Sequence, residues 1–137
     1  MYTITRKSII KEELQLCHAD GTVAAKIDVN INIDEMAGRI NKAYSSFKGA
    51  AEFLQNHQED PSAMETFGKA VYSLFTMIFG EAGAKQIVDF YENHYMEMLL
   101  DLFPFINDEI MPKIAEISET RKAQLLDAAK KAKKSKW

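Results

Sequence analysis

The stretch from Phe75 to Ile114 limits most strongly what this chain can fold into, because it holds the densest run of apolar residues. Its apolar positions recur at steps of three and four, which predicts helices. The main stripe consists of Ala84, Ile87, Val88, Tyr91, Tyr95, Met98, Leu99 and Leu102. In the second half of the predicted helix that carries this stripe, Met96, Leu100 and Phe103 fall on the opposite side. A helix that is apolar all round needs cover on both sides, from its own chain or from another.

Helix-terminating and capping residues divide the rest of the chain. Asp34 and Asp60 are the expected N-caps of the first two helices, and Pro61 suits a first helical position. Gly80 is typical of a helix C-terminus, and Pro104 predicts a bend or break. The core stripe of the second helix is predicted as Met64, Phe67, Val71, Leu74, Phe75 and Ile78. The four helices are expected over about residues 34–56, 61–79, 83–103 and 108–129.

A strand pattern precedes the helices. After Asp20-Gly21, the apolar residues Val23, Ala25, Ile27, Val29 and Ile31 alternate strictly with others. Because glycine tolerates the positive φ of tight turns, the Asp-Gly pair predicts a hairpin, placed over residues 9–31. The predicted fold class is therefore mainly α, with an N-terminal β-hairpin packed on a bundle of about four helices. We expect residues 1–129 to form a single domain and residues 130–137 a basic, flexible tail.

The charge is unevenly distributed along the chain. Residues 121–137 hold seven Lys or Arg against Asp127, a charge of +6, so the first 120 residues carry −9 within the overall −3. An acidic body repels a phosphate backbone, which leaves only the lysine-rich end as a candidate nucleic-acid contact. Lysines at a helix C-terminus also suit the helix dipole, and we take this as their main role.

Cysteine use and hydropathy bear on the compartment. Cys17 is the only cysteine, so an internal disulfide is impossible and a reducing compartment is favoured. Gly80 and Asp101 interrupt the longest apolar runs far short of a membrane span, and the first ten residues lack the apolar run of a signal peptide. We therefore expect a cytoplasmic protein without a membrane partner.

The sequence carries no familiar catalytic frame. Cys17 and His18 are neighbours on a strand, where successive side chains point to opposite faces, so we interpret them as a core cysteine and a turn histidine. His94, Glu97 and Asp101 line one side of the third helix, but a di-iron bundle would need Glu-x-x-His on two helices. We interpret this row as a solvated acidic face. The prediction is a non-enzymatic protein without metal or cofactor, and a carboxylate enzyme using this row is an alternative.

Two surfaces are candidates for binding. Methionines concentrate where the third helix is apolar all round, and methionine-rich surfaces adapt to varied partners. The candidate client or oligomer surface consists of Met96, Leu100, Phe103, Phe105 and Met111. The exposed edges of a two-stranded hairpin can pair with another chain, which makes self-association a second expectation. The candidate oligomer edge consists of Val23, Ile27 and Val29.

Three joints of the chain together carry a family resemblance. They are the N-terminal hairpin with its long first helix, the Ile78-Phe79-Gly80-Glu81 junction, and the segment from Phe103 to Ile114 with its two prolines. Over roughly residues 9 to 115, this order of parts resembles the tail assembly chaperones of long-tailed bacteriophages and of prophages of Gram-positive bacteria.

The resemblance implies a non-enzymatic homo-oligomer in the cytoplasm of the bacterial host. It implies that the protein binds the phage tape-measure protein and recruits tail-tube subunits around it, with no catalytic residue. The residues alone also fit a different class, a small regulatory or adaptor protein whose lysine tail contacts nucleic acid.

Overall fold

The computed structural model describes residues 1–5 and 9–134. It confirms the predicted class, mainly α with an N-terminal β-hairpin packed against the helices. The elements are β1 (Ile9–Cys17), β2 (Val23–Asn32), α1 (Ile33–Asn56), α2 (Pro61–Phe90), α3 (Tyr95–Pro104), a π-helical segment (Phe105–Ile110) and α4 (Met111–Lys134). The last three join without a gap, so the chain forms three long helical bodies.

The hairpin is centred on Asp20-Gly21, as predicted. The backbone N–H of Gly21 donates to the carbonyl oxygen of His18 at 2.9 Å, and Gly21 has a φ of 88°. The Asp20 carboxylate accepts hydrogen bonds from the Thr22 hydroxyl and backbone N–H, which lower the pKa of Asp20. The turn therefore spans three residues with glycine in the left-handed position, where the Asp-Gly pair alone indicated two.

The hairpin lies on α2 through the buried half of β2. Ile27, Val29 and Ile31 are all buried, which is the outcome that their alternation predicts. At Gly83 of α2, an added Cβ would come within 3.1 Å of Ile27 Cγ2 and 3.0 Å of Phe79 Cβ. The missing side chain of Gly83 thus allows the strand and the helix to approach closely.

The first two helices begin much as expected. Asp60 caps α2 by accepting a hydrogen bond from the Ser62 N–H at 2.9 Å, with Pro61 at the start of the helix. The cap of α1 is Asn32, whose side chain accepts from the Asp34 N–H at 3.1 Å. The prediction that Asp34 is the cap was wrong, because Asn at the strand end offers the same side-chain acceptor two residues earlier.

The boundary at Gly80 is present, but the helix beyond it is not continuous to Phe103. Gly80 has φ 78° and ψ 167°, so α2 bends there. The chain then leaves the helix after Phe90, where Glu92 and Asn93 adopt φ of 50° and 66°. A single helix over 83–103 was therefore a wrong prediction. The apolar stripe resumes in phase at Tyr95, so its periodicity does not reveal the polar left-handed pair.

Of the bend or break predicted at Pro104, the break was wrong, because the helix continues through this residue. Pro104 has helical dihedrals of −59° and −39°, and the Met111 N–H donates to the Ile106 carbonyl oxygen five residues back. A π turn absorbs a residue that does not fit the α-helical hydrogen-bond pattern. No separate fourth helix begins at residue 108, because the helix runs through this segment into α4.

The helix also continues beyond the expected end of the domain. α4 reaches Lys134, whereas the sequence predicted an end near residue 129 and a flexible tail from 130. Lysines at 130–134 interact favourably with the dipole of this helix end, which explains why the basic composition does not stop the helix. Residues 135–137 of the predicted tail lie outside the described part of the chain.

One hydrophobic cluster joins the hairpin to every helical body. Its fully buried members include Phe75, Ile31, Ile40, Leu74, Ile87, Met98, Ile106, Ile110 and Ile114. α4 and the segment before it lie along α1, where the Tyr44 hydroxyl donates to Asn107 Oδ1 at 2.7 Å. An ion pair at 2.8 Å joins Arg121 to Asp34. The earlier residue, Asn107, contacts Tyr44 late in α1, and the later residue, Arg121, contacts Asp34 at its start. α4 and α1 are therefore antiparallel.

Candidate functional site: an apolar groove between α2 and α3

An open groove of about 1050 Å³ lies between the first half of α2 and the start of α3. Glu65 and Lys69, which pair with each other at 3.2 Å, supply its charged side chains. The large apolar side chains that line the groove are Met64, Phe67, Tyr72, Tyr95, Met96 and Leu99. The groove therefore offers a mainly apolar surface with little net charge.

The groove exists because α2 presents two apolar faces. Phe67 and Val71 turn one face into the core, while Met64 and Tyr72 on the neighbouring face remain about half exposed. Between them Gly68 has no side chain, and a Cβ placed there would meet nothing within 4 Å. Because Gly68 has no side chain, the groove is deeper at this position.

The structure divides the predicted client surface into two parts. Met96 and Leu100 on α3 are 54% and 66% exposed, and Met96 lines the groove. Leu100 lies one turn further along the same helix. These two residues are therefore available to a partner, and Met96 belongs to the site.

The other three members of that predicted surface pack against the core. The ring of Phe103 lies 5.9 Å from that of Phe47, and the ring of Phe105 lies 6.2 Å from that of Phe79. Met111 is also partly buried against the core cluster. The helical body that begins with α3 is thus covered by α1 and α2 from Phe103 onward, whereas Met96 and Leu100 earlier in α3 are exposed.

The predicted oligomer edge is divided in the same way. Val23 is exposed, but the side chains of Ile27 and Val29 are buried under the hairpin. Pairing at this edge would therefore use backbone groups rather than those two side chains. Self-association through the edge stays a prediction.

Sequence reasoning placed some groove residues wrongly. Met64 was assigned to the core stripe, and Tyr72 was not singled out. A signal for both exists in the step of four that links Met64, Gly68 and Tyr72, a second stripe beside the core stripe. This second stripe has few apolar residues and a glycine at its centre, so its pattern does not resemble that of core positions.

A second, polar hollow of about 460 Å³ lies beside the hairpin turn. The Tyr91 hydroxyl donates to Asp101 Oδ2 at 3.0 Å, and burial, then this carboxylate, raise the pKa of Tyr91. His94 Nδ1 lies 3.9 Å from Glu97 Oε2. The predicted acidic row does lie together on the first turns of α3, and its three members are exposed.

Most of the residues that line this hollow are exposed. Within residues 1–5 and 9–134, no three His, Cys, Asp or Glu side chains are placed to hold a metal ion. Cys17 is exposed, so its assignment to the core was wrong, while His18 lies in the turn as expected and contacts Phe90, with 5.9 Å between ring centroids. Every buried side-chain nitrogen or oxygen of the described residues has a hydrogen-bond partner.

Comparisons with models of known protein families, with curated proteins and with solved structures find no match to this chain. In the described part of the chain, no helix combines the length and apolar character needed to cross a membrane.

Proposed function

We propose that this chain is a non-enzymatic assembly chaperone that holds apolar helical segments of a client protein in the groove between α2 and α3. The observation that carries the proposal is the uncovered apolar surface formed by Met64, Tyr72, Tyr95 and Met96. In keeping with the family resemblance, the proposed client is a phage tape-measure protein, around which the chaperone recruits tail-tube subunits.

The dimensions of the groove suit a helical client. It extends along α2 from Pro61 to Ser73, about 18 Å at the rise of an α-helix. Three turns of a client helix are about 16 Å long, slightly shorter than the groove, and can present apolar side chains at steps of three, four and seven. The groove therefore fits one amphipathic segment at a time.

The side chains of the groove suit a client with many similar segments. Methionine is flexible and fills irregular spaces, and tyrosine offers a large apolar ring with a polar tip. Met64 and Met96 lie on different helices, so each can adjust to the same bound side chain. Such a surface favours apolar helices in general over one particular sequence.

Light scattering of an aggregating tape-measure protein tests the proposal. The wild-type chain should suppress the scattering, and Met96→Glu should not, because it places a charge against an apolar ligand. Phe53→Glu is the matched control, since Phe53 is also an exposed apolar residue but lies outside the groove. Equal suppression by both variants would contradict a role for the groove.

A further inference from the structure

The last part of α4 projects from the rest of the protein. Asp34, which pairs with Arg121, is only the second residue of α1, so antiparallel α1 offers nothing to pack against beyond that point. Every residue of 122–134 is exposed, including Leu125 at 72% and Leu126 at 57%. We call residues 122–134 the projecting segment. It is about 20 Å long.

The projecting segment carries an apolar stripe. Leu125, Ala128, Ala129 and Ala132 recur at steps of three and four, with Leu126 beside them. A helix of this length is marginal in water when nothing packs on it. A stripe maintained over about two turns on such a helix is the pattern of a surface that another element covers.

The groove matches this segment in length and polarity, and the segment's end of the chain is opposite in charge to the rest of the chain. The groove is about 18 Å long, measured along α2, and the projecting segment is about 20 Å long. The groove is lined mainly by apolar side chains, and the segment carries the apolar stripe in its middle. The chain end from residue 121 carries +6 and the preceding 120 residues −9. Long-range electrostatic attraction therefore favours the approach of the basic chain end of one copy to the acidic body of a second copy.

The chain cannot place the segment in its own groove. Met96 in the groove wall and Leu125 in the stripe lie on one uninterrupted helical body, about 44 Å apart along its axis. A second copy of the chain is free of this restraint.

We infer that the projecting segment of one copy docks in the groove of a second copy. The contact is head to tail, because the two surfaces are different and each copy keeps one of them unused. The inference uses the groove described above but does not depend on client binding. A client helix and a neighbouring projecting segment compete for the same apolar surface.

Sedimentation equilibrium of two single variants tests this contact. Leu125→Glu disables the segment and Met96→Glu disables the groove, and both positions are more than half exposed, so both variants should fold. The wild-type chain should show an average mass that rises above 15.6 kDa with concentration. Each variant alone should lose this association and remain at the mass of one chain.

Mixing the two variants gives the decisive result. Met96→Glu still has a working segment and Leu125→Glu a working groove, so one junction can form and the mixture should stop at a heterodimer of twice the 15.6 kDa chain mass. Phe53→Glu should associate as the wild type does. Three results would each overturn the inference: a wild type that is monomeric up to millimolar concentration, normal association of Met96→Glu or Leu125→Glu alone, or a mixture of these two without the heterodimer.

The client assay separates this inference from the proposed function. Leu125→Glu leaves the groove intact, so it should still suppress client aggregation after it has lost self-association. Suppression without any wild-type self-association would reject the docking alone. Self-association with the heterodimer, but without suppression by either wild type or Leu125→Glu, would reject the chaperone function alone. Circular dichroism of each variant shows that the helices are retained.

Discussion

Two glycines three residues apart in α2 serve different physical needs. Gly80 supplies a backbone conformation, with φ 78° and ψ 167°, that is essentially restricted to glycine. Gly83 supplies space, because Ile27 of the hairpin lies where its Cβ would be. The first role can be predicted from the sequence, because Gly80 separates two apolar helical patterns. The second depends on a strand more than fifty residues away and has no local signal.

Replacing Gly80 by alanine should therefore destabilise the protein. The strain in this backbone region predicts a loss of about 1–3 kcal/mol in the free energy of unfolding, measured by urea titration. Gly49→Ala is the matched control, because Gly49 lies in α1 with open space around its Cβ position. It should stabilise by about 0.5–1 kcal/mol through its better helix propensity. Equal effects of the two substitutions would rule out the strained conformation at Gly80.

Tyr91 should make stability depend on alkaline pH. Burial and the bond to Asp101 raise the pKa of Tyr91 in the folded chain, whereas the unfolded chain releases this proton near pH 10. Above that pH the unfolded state binds fewer protons than the folded state, so stability falls as the pH rises. Below it, the contribution of Tyr91 is fully present.

Urea midpoints measured across this alkaline range check the effect. Tyr91→Phe should flatten the decline in stability, because phenylalanine has no proton to lose. Tyr72→Phe, at an exposed tyrosine in the groove, should leave the slope unchanged. The same slope in both variants would mean that another group causes the decline.

At the scale of elements, the helical body from Tyr95 to Lys134 shows what periodicity can and cannot reveal. Its buried positions are Met98, Leu102, Ile106, Ile110 and Ile114, each four residues from the next. In an α-helix this stripe would drift by about 160° from end to end, and a π turn removes about 100° by absorbing one residue. A strict step of four therefore indicates a wider turn, whereas the proline in the same segment suggested a break.

Deleting one residue tests this account of the π turn. Removal of Asp108 should convert the segment to α-helix and keep the angle between its two ends. Removal of Leu100, which is also exposed and lies in α3, should rotate the following isoleucines by about 100°. We expect the Leu100 deletion to cost about 2–5 kcal/mol more than the Asp108 deletion in urea unfolding. A greater cost for the Asp108 deletion would contradict the compensating role of the π turn.

The elements that sequence predicted well are those with a local cause. Alternation and the Asp-Gly pair locate the hairpin, and Asp60 with Pro61 locates the start of α2. The interruption at Glu92 and Asn93 was missed because it lies between stripes that share one phase. The left-handed pair lies between helices that contact each other, and a local pattern of sequence does not contain that contact.

At the scale of the whole molecule, the candidate site was only partly predictable. Met96 and Phe103 are both apolar and lie on the same predicted surface, yet one lines an open groove and the other packs on Phe47. Only the position of α1 decides between these outcomes. A single sequence shows that apolar area exceeds what one helix face can bury, but not where the uncovered part lies.

Amide hydrogen exchange should reveal the projecting segment. In dilute solution residues 122–134 should exchange much faster than α2, because all of them are exposed whereas α2 contributes many buried residues to the core. At concentrations where copies associate, the same amides should slow down, and Leu125→Glu should prevent the slowing. Uniform protection of α4 in dilute solution would show that the segment is covered within one chain.

The uninterrupted helical body has a consequence for any chain of copies joined end to end. Because its groove wall and its projecting segment are held at a fixed distance and angle, every junction repeats one rotation and one translation. The result is either a closed ring or an open helical filament to which copies can be added indefinitely. A filament of the second kind has no intrinsic length, so under the proposed function its length would be set by the client along which it assembles.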